Sequence, residues 1–351
     1  MNMPEGYGTR LSRTLTMSPD PVVYASDATW QAERRTVFAA TWQYVGDARK
    51  LTLTGDHLAA SFAGYRVIVV RQADGSLKGF HNICRHRAAP VIETDGYGRS
   101  AVLTCPYHRW AYGLDGGLRT TPEFGEVAGF RCEDHGLLGV HVDVWREHIF
   151  VHLGDEPKPL EKALIDMPGL VGDRPLERCT LYDSWFIDFD ANWKVYLENY
   201  VEGYHVPSVH LAFNAELEPG SFTTKAHRNT ITMRADAKAG GLYEGLWTWT
   251  WPAFTLVLFH GGYDISRICP ISPEKTRVHF DIYVDPKADL SDEQKAATSK
   301  GVRDLVAEDM AISEAVHANL ASGVFPGGPL SPRHEEGVAL FHDKLRAAGV
   351  A

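Results

Sequence analysis

Two hydrophobic rhythms divide the chain. Between residues 42 and 153 the apolar positions fall in short runs, at 59–62, 66–71, 77–81, 101–104, 140–144 and 149–152, separated by turns such as Asp74-Gly75 and Asp115-Gly116-Gly117. Short runs punctuated by glycine predict strands joined by tight turns. Ahead of them, residues 27–40 mix apolar and charged faces, with Trp30, Glu33 and Phe38, as a helix does. Residues 1–26 carry Gly, Pro and Ser without a period, and read as an arm lying on the surface or on a neighbouring subunit.

After Gly154-Asp155-Glu156-Pro157-Lys158-Pro159 the pattern changes, because two prolines two residues apart stop both helix and central strand. Strands are expected at 179–188, 228–235, 246–251, 255–259, 263–270 and 276–284, followed by a long helix from Ser291. Ser291 with Gln294 makes a capping box there, and Asp292 and Glu293 sit where the helix dipole favours acids. The expectation is an α+β chain in three parts: an arm and helix at 1–41, a small antiparallel β domain at 42–154, and a larger domain at 155–351. No repeat recurs at any period from 20 to 50 residues.

Composition narrows the function classes. The chain has 351 residues, is 44% hydrophobic and carries a net charge of −10 without a long acidic or basic run. That supports buried cores and argues against nucleic acid as a partner. No apolar run approaches the roughly eighteen residues of a membrane helix, and Met1 to Pro21 holds no apolar signal core. A cytoplasmic protein is expected, with Cys132, Cys179 and Cys269 as reduced core residues.

The remaining two of the five cysteines carry chemistry. Cys84-Arg85-His86 and, further on, Cys105-Pro106-Tyr107-His108 bring two thiolates and two imidazoles on paired short loops. A [2Fe-2S] cluster with two sulfur ligands on one iron and two nitrogen ligands on the other needs that set, and the imidazoles raise its potential by hundreds of millivolts. This is a Rieske centre. Zinc also accepts Cys2His2, but fingers place both cysteines before both histidines, whereas here the types interleave.

A second constellation lies at Asn192 to His210. If a helix runs to about Gly203–Pro207, Glu202 and His205 share a face, and Pro207 breaks it so that His210 returns toward the same point. Two histidines and a carboxylate are the facial triad of a mononuclear non-haem Fe(II) oxygenase, with the carboxylate drawn from elsewhere if Glu202 is engaged otherwise.

On these motifs, with Glu198-Asn199-Tyr200 and Glu308-Asp309, the chain resembles the Rieske non-haem iron oxygenases, the terminal or α components of ring-hydroxylating and demethylating systems. The resemblance implies a catalytic domain of START or helix-grip type, with a curved antiparallel sheet and flanking helices. It implies iron ligands His205, His210 and Asp309, among neighbours Asp304, Glu308 and Glu314, and places Asn199 beside the iron. It makes Glu202 a bridge between a cluster histidine of one subunit and an iron histidine of the next, in a head-to-tail homotrimer. Family members usually have aspartate there, and glutamate resembles those acting on carnitine and other quaternary amines. Where the family commonly has glycine after the second cluster histidine, this chain has Arg109.

The resemblance further implies one Rieske cluster and one Fe(II) per chain, O2 and a small molecule as substrates, and electrons from a separate NAD(P)H-dependent reductase, with or without a ferredoxin. No dinucleotide fingerprint appears in the chain itself. Trp247, Trp249 and Trp251 alternate at strand spacing, which puts them on one face, and with Tyr243 and Phe254 they are candidates for the substrate pocket. Such rings would cage a trimethylammonium group or stack on an aromatic acid, and Glu202 tilts the reading toward the amine. A Rieske electron carrier without oxygenase activity and a zinc-stapled binding module are the rival classes.

Overall fold

The computed structural model describes residues 15–238 and 245–351. Two seven-stranded sheets and one three-stranded sheet organise them. The first sheet holds Gln43–Asp47, Asp56–Phe62, Tyr65–Arg71, Leu77–His81, Gly96–Arg99, Gly139–Trp145 and His148–His152, and its neighbouring strands are antiparallel. Leu103–Thr104, Ala111–Tyr112 and Leu118–Thr120 form the small sheet at its end. Gln43–Asp47, buried at every position, has no alternation to betray it.

The second large sheet is an antiparallel meander from Thr223–Ala226 through Thr230–Ala235, Gly245–Thr250, Phe254–Phe259 and Gly262–Ser272 to Lys275–Val284, closed on its far edge by Thr180–Phe189. Three helices cover it: α1 (Trp193–Tyr200), α2 (Asp292–Ala321) and α3 (Glu336–Ala347). The expected capping box opens α2, with Gln294 N–H donating to Ser291 Oγ at 3.2 Å and Ser291 N–H to Gln294 Oε1 at 2.8 Å.

The largest core runs through both large sheets: Phe62, Val67 and Val69 from the first pack in one cluster with Ile268, Cys269 and Val278 from the second. Residues 154–159 carry no regular structure. A buried ion pair between Lys194 and Glu33, with Trp193 Nε1 donating to Glu33 Oε2 at 2.9 Å, ties the early helix Asp27–Glu33 to α1. That helix was expected to run to residue 40, but from Arg34 to Phe38 it relaxes into a π turn. Of the N-terminal arm, residues 16–18 bond back to Gly328 and Leu330 of the same chain.

Candidate metal centres

The cluster motif sits on two loops with one backbone design. Cys84 N–H donates to Ala89 O at 2.8 Å and Ala88 N–H to Cys84 O at 3.0 Å; Cys105 N–H donates to Trp110 O at 2.8 Å and Arg109 N–H to Cys105 O at 3.1 Å. Both loops turn through a left-handed residue at the same offset, Ala88 (φ 61°) and Arg109 (φ 62°). The preference for glycine after the second histidine thus has a local cause, since a Cβ in that conformation costs about 1–2 kcal/mol.

Cys84 and Cys105 are buried, and both lie in a small core with Ile68, Phe80, Trp110 and Tyr112. His86 stacks on Trp110 and meets His108 edge-on with ring centroids 4.6 Å apart. Tyr112 Oη lies 3.2 Å from Cys84 Sγ and accepts Arg85 N–H at 3.0 Å. Asn82 buttresses the first loop, accepting Val91 N–H and donating to Ile92 O, both at 2.7 Å. The buried Nδ1 of His86 has no protein partner, as fits an atom reserved for a metal. Of the other cysteines, Cys179 and Cys269 are buried as expected and Cys132 is only half-buried.

The second site departs from the sequence expectation in its scaffold. The helix carrying Asn192 to Glu202 ends at Tyr200, so Glu202 and His205 meet across a turn and not along a helical face. Pro207 does not break that helix. It stands in the first turn of a new short helix, Val206–Val209, whose start tolerates a residue without an N–H. Two close approaches set the turn: a Cβ on Gly203 would strike the Phe222 ring, and one on Gly337 of α3 would strike Val201 O.

His205, His210 and Asp309 offer ligand atoms within 4.8 Å of one another. His205 Nε2 and His210 Nε2 lie 3.2 Å apart, and Asp309 Oδ1 is 3.0 Å from His210 Nε2 and 3.6 Å from His205 Nε2. That oxygen is buried and has no hydrogen-bond donor assigned to it among the described residues. Three donors converging on one point, one an orphaned carboxylate oxygen, fit a mononuclear iron.

A second tier fixes these rings. Glu202 Oε1 is 2.5 Å from His205 Nδ1, and Glu202 Oε2 accepts Tyr204 N–H. Glu308 Oε2 is 2.7 Å from His210 Nδ1. Each carboxylate keeps the proton on Nδ1 and leaves Nε2 free for a metal. Burial works to lower the pKa of His210, but Asp309 and Glu308 outweigh it and raise it. Glu308 therefore approaches the opposite side of the ring from Asp309. The role of Glu308 has no signature in the sequence beyond its place beside Asp309.

The triad opens on a cavity of about 120 Å³. Along α2 the residues facing it are Thr298, Val302, Leu305, Val306 and Asp309, a helical stripe that ends on the carboxylate. Asn199 also lines the cavity, with a buried Oδ1 that has no partner among the described residues. Of the five aromatic candidates, Trp247 lines it, in contact with Phe213 and Phe222. Trp249 shares its sheet face but is sealed beneath α3, its ring edge-on to Phe341 at 5.5 Å. Trp251 lies past the strand end and packs on Trp249, and Phe254 points through the other face into a core with Tyr44 and Phe150. Tyr243 lies outside the described residues. Phe213 and Phe222, missed in the sequence, come from segments without a periodic signal.

Comparison with known proteins finds one family match over each of the two regions. The chain matches the Rieske [2Fe-2S] domain family over residues 41–131 and the family "Ring hydroxylating alpha subunit (catalytic domain)" over residues 176–348. It is 27% identical to the carnitine monooxygenase oxygenase subunit of Escherichia coli (strain K12), covering 92% of this chain and 91% of that one. It is 26% identical to the chloroplastic choline monooxygenase of Beta vulgaris, covering 93% and 76%. In fold it resembles the quaternary ammonium Rieske monooxygenase CntA in complex with L-carnitine, with a TM-score of 0.85 at 24% identity over 95% of this chain and 96% of that one. Naphthalene 1,2-dioxygenase with indole bound shares the fold at a TM-score of 0.78 and 20% identity, over 95% and 92%.

Two metal-binding domains joined in this order define an oxygenase fed by an iron–sulfur cluster. The chain belongs to the Rieske non-haem iron oxygenases, as their terminal α component. It accordingly uses one Rieske cluster and one mononuclear iron, with electrons supplied by a separate reductase. Among the described residues no helix is long and apolar enough to cross a membrane.

Proposed function

We propose that the chain oxygenates a quaternary amine, hydroxylating it or removing a methyl group oxidatively, with O2 and two electrons from its reductase. One oxygen atom enters the substrate and the other leaves as water with two protons. The observation that carries this reading is the His205, His210 and Asp309 triad opening on a cavity cornered by Phe213, Phe222 and Trp247, since aromatic faces attract a trimethylammonium group. The names of the carnitine and choline relatives support the same class.

In this reading Cys84, His86, Cys105 and His108 hold the cluster, and His205, His210 and Asp309 hold the iron. Together these groups supply single electrons and O2 activation when bound. The protein's own work is positional. Glu202 and Glu308 hold the proton on Nδ1 of their histidines, Asn199 presents a free amide oxygen to the cavity, and the apolar stripe of α2 excludes water from it. Glu202 also bridges to His108 of the next subunit in a homotrimer, a role supported by its seat on His205 and by the exposed tip of the second cluster loop, where Tyr107 is 56% exposed.

The test is a panel of trimethylammonium compounds and aromatic acids offered to the holoenzyme with a competent reductase. A quaternary amine should drive O2 uptake with matching product. Uptake driven by an aromatic acid and by no quaternary amine would overturn the reading.

A further inference from the structure

Among the described residues, the cavity wall carries one carboxyl group that neither metal site uses. Asp264 lies on Gly262–Ser272, on the same strand face as Ser266, and both line the cavity. It is only 5% exposed, and its partners across the sheet are Val257 and Ile282. Burial alone pushes its pKa up to about 7, and no compensating charge or donor among the described residues pulls it back. Its charge is felt by Tyr196 and Tyr200 of α1, the same two residues that feel Asp309, so it borders the same chamber as the triad.

Burying a carboxylate without a partner is costly, so such a group takes up a proton or pairs with a cation that a ligand brings. Apart from His205 and His210, the described lining contains no basic side chain. A ligand that brings its own carboxylate would have to desolvate it opposite Asp264 with no arginine or lysine among the described lining residues to receive it.

We propose that Asp264 is the counter-ion for the substrate's ammonium group, and that the cavity selects a monocation, such as a trimethylammonium alcohol, over a zwitterionic trimethylammonium acid. This rests on the quaternary-amine reading and narrows it. The aromatic corner at Phe213, Phe222 and Trp247 accepts the methyl groups by cation–π attraction, and Asp264 supplies the full charge. An uncharged carbon isostere fits the rings but gains nothing from the carboxylate.

Three probes separate the terms: (2-hydroxyethyl)trimethylammonium, its uncharged isostere 3,3-dimethylbutan-1-ol, and trimethylammonioacetate. Their binding to the holoenzyme is measured by calorimetry without O2. The monocation should bind ~10-fold or more tighter than either of the others, the range in which a buried charge pair shows itself. Asp264→Asn, with its cluster spectrum and iron content intact, should weaken the monocation by ~10-fold or more and leave the isostere unchanged, which collapses their ratio toward one. Equal binding of zwitterion and monocation by the wild type overturns the proposal, as does an unchanged ratio in Asp264→Asn. If that variant fails to fold, the three-probe series on the wild type still decides. Loss of the broader reading looks different: no trimethylammonium compound of either kind would bind or drive O2 uptake.

Discussion

In the proposed reading the cluster loops and the triad solve one problem, holding iron, in opposite ways. The cluster loops are two local turns of one design, each closed on its own cysteine by two backbone hydrogen bonds and set at the edge of a small sheet with exposed tips at Ile83 and Tyr107. The triad draws two residues from the ends of the short helix Val206–Val209 and the third from α2, about a hundred residues later, and sits under cover. A site that trades electrons with other proteins is served by ligands at a rim. A site that must keep O2 and substrate away from water needs walls, and walls come only from the folded whole.

If the two sites are independent, each can be emptied alone. Cys105→Ser or His86→Ala should abolish the Rieske spectrum altogether while one iron per chain remains, because each supplies one of four bonds to the cluster. Simultaneous loss of the mononuclear iron would show that the two regions are not separable. Conversely, His210→Ala or Asp309→Ala should lower iron from three to two per chain with the spectrum unchanged and substrate-dependent O2 uptake lost. Glu308→Ala keeps the three ligands but frees the His210 ring, so iron affinity should fall by roughly 10–100-fold.

Acid should strike the seam between the two regions before either site. His148, on the first sheet, lies 3.1 Å from Tyr263 Oη of the second, and burial holds its pKa down to about 3. His279, on the second sheet, is held to about 3 by burial and then by Arg267 and Arg277. In the unfolded chain both would titrate near 6.5, so that state binds more protons between pH 6.5 and 3. The stability they contribute is full above pH 6.5 and is lost as pH falls toward 3, which thermal unfolding across that window would measure. A flat profile would remove these histidines from the account. The smallest effect belongs to the cluster loop: Arg109→Gly should stabilise by up to about 1 kcal/mol, read from a denaturant midpoint, because glycine adopts φ 62° without strain.

The same contrast explains what the sequence could and could not reveal. The proposed cluster motifs Cys84 to His86 and Cys105 to His108 stand out in the sequence because their residues are neighbours in the chain. Asp309 needed a resemblance, although the stripe Thr298, Val302, Leu305 and Val306 was there to point inward at it. Alternation correctly put Trp247 and Trp249 on one face, but α3 covers one end of that face and leaves the other open, and no period in the strand encodes its neighbour. Asp264 passes for an ordinary polar residue until the fold removes its water. The helix expected through Glu202 stops at Tyr200: Val201 to His205 holds no proline to mark an end, and the packing of Gly203 and Gly337 that bends the chain is tertiary.

The central claim is that the rim site of one chain serves the walled site of another through Glu202. Glu202→Gln should retain both metals, since an amide keeps the shape and loses only the charge that steadies His205, yet turnover should fall by ~10–100-fold. His108→Ala should lack the cluster. Neither variant alone turns over normally, but an assembly containing both sets an intact cluster beside an intact Glu202 across one interface. Partial recovery of O2-dependent product formation in proven mixed assemblies is the predicted result, and no recovery would contradict transfer between chains.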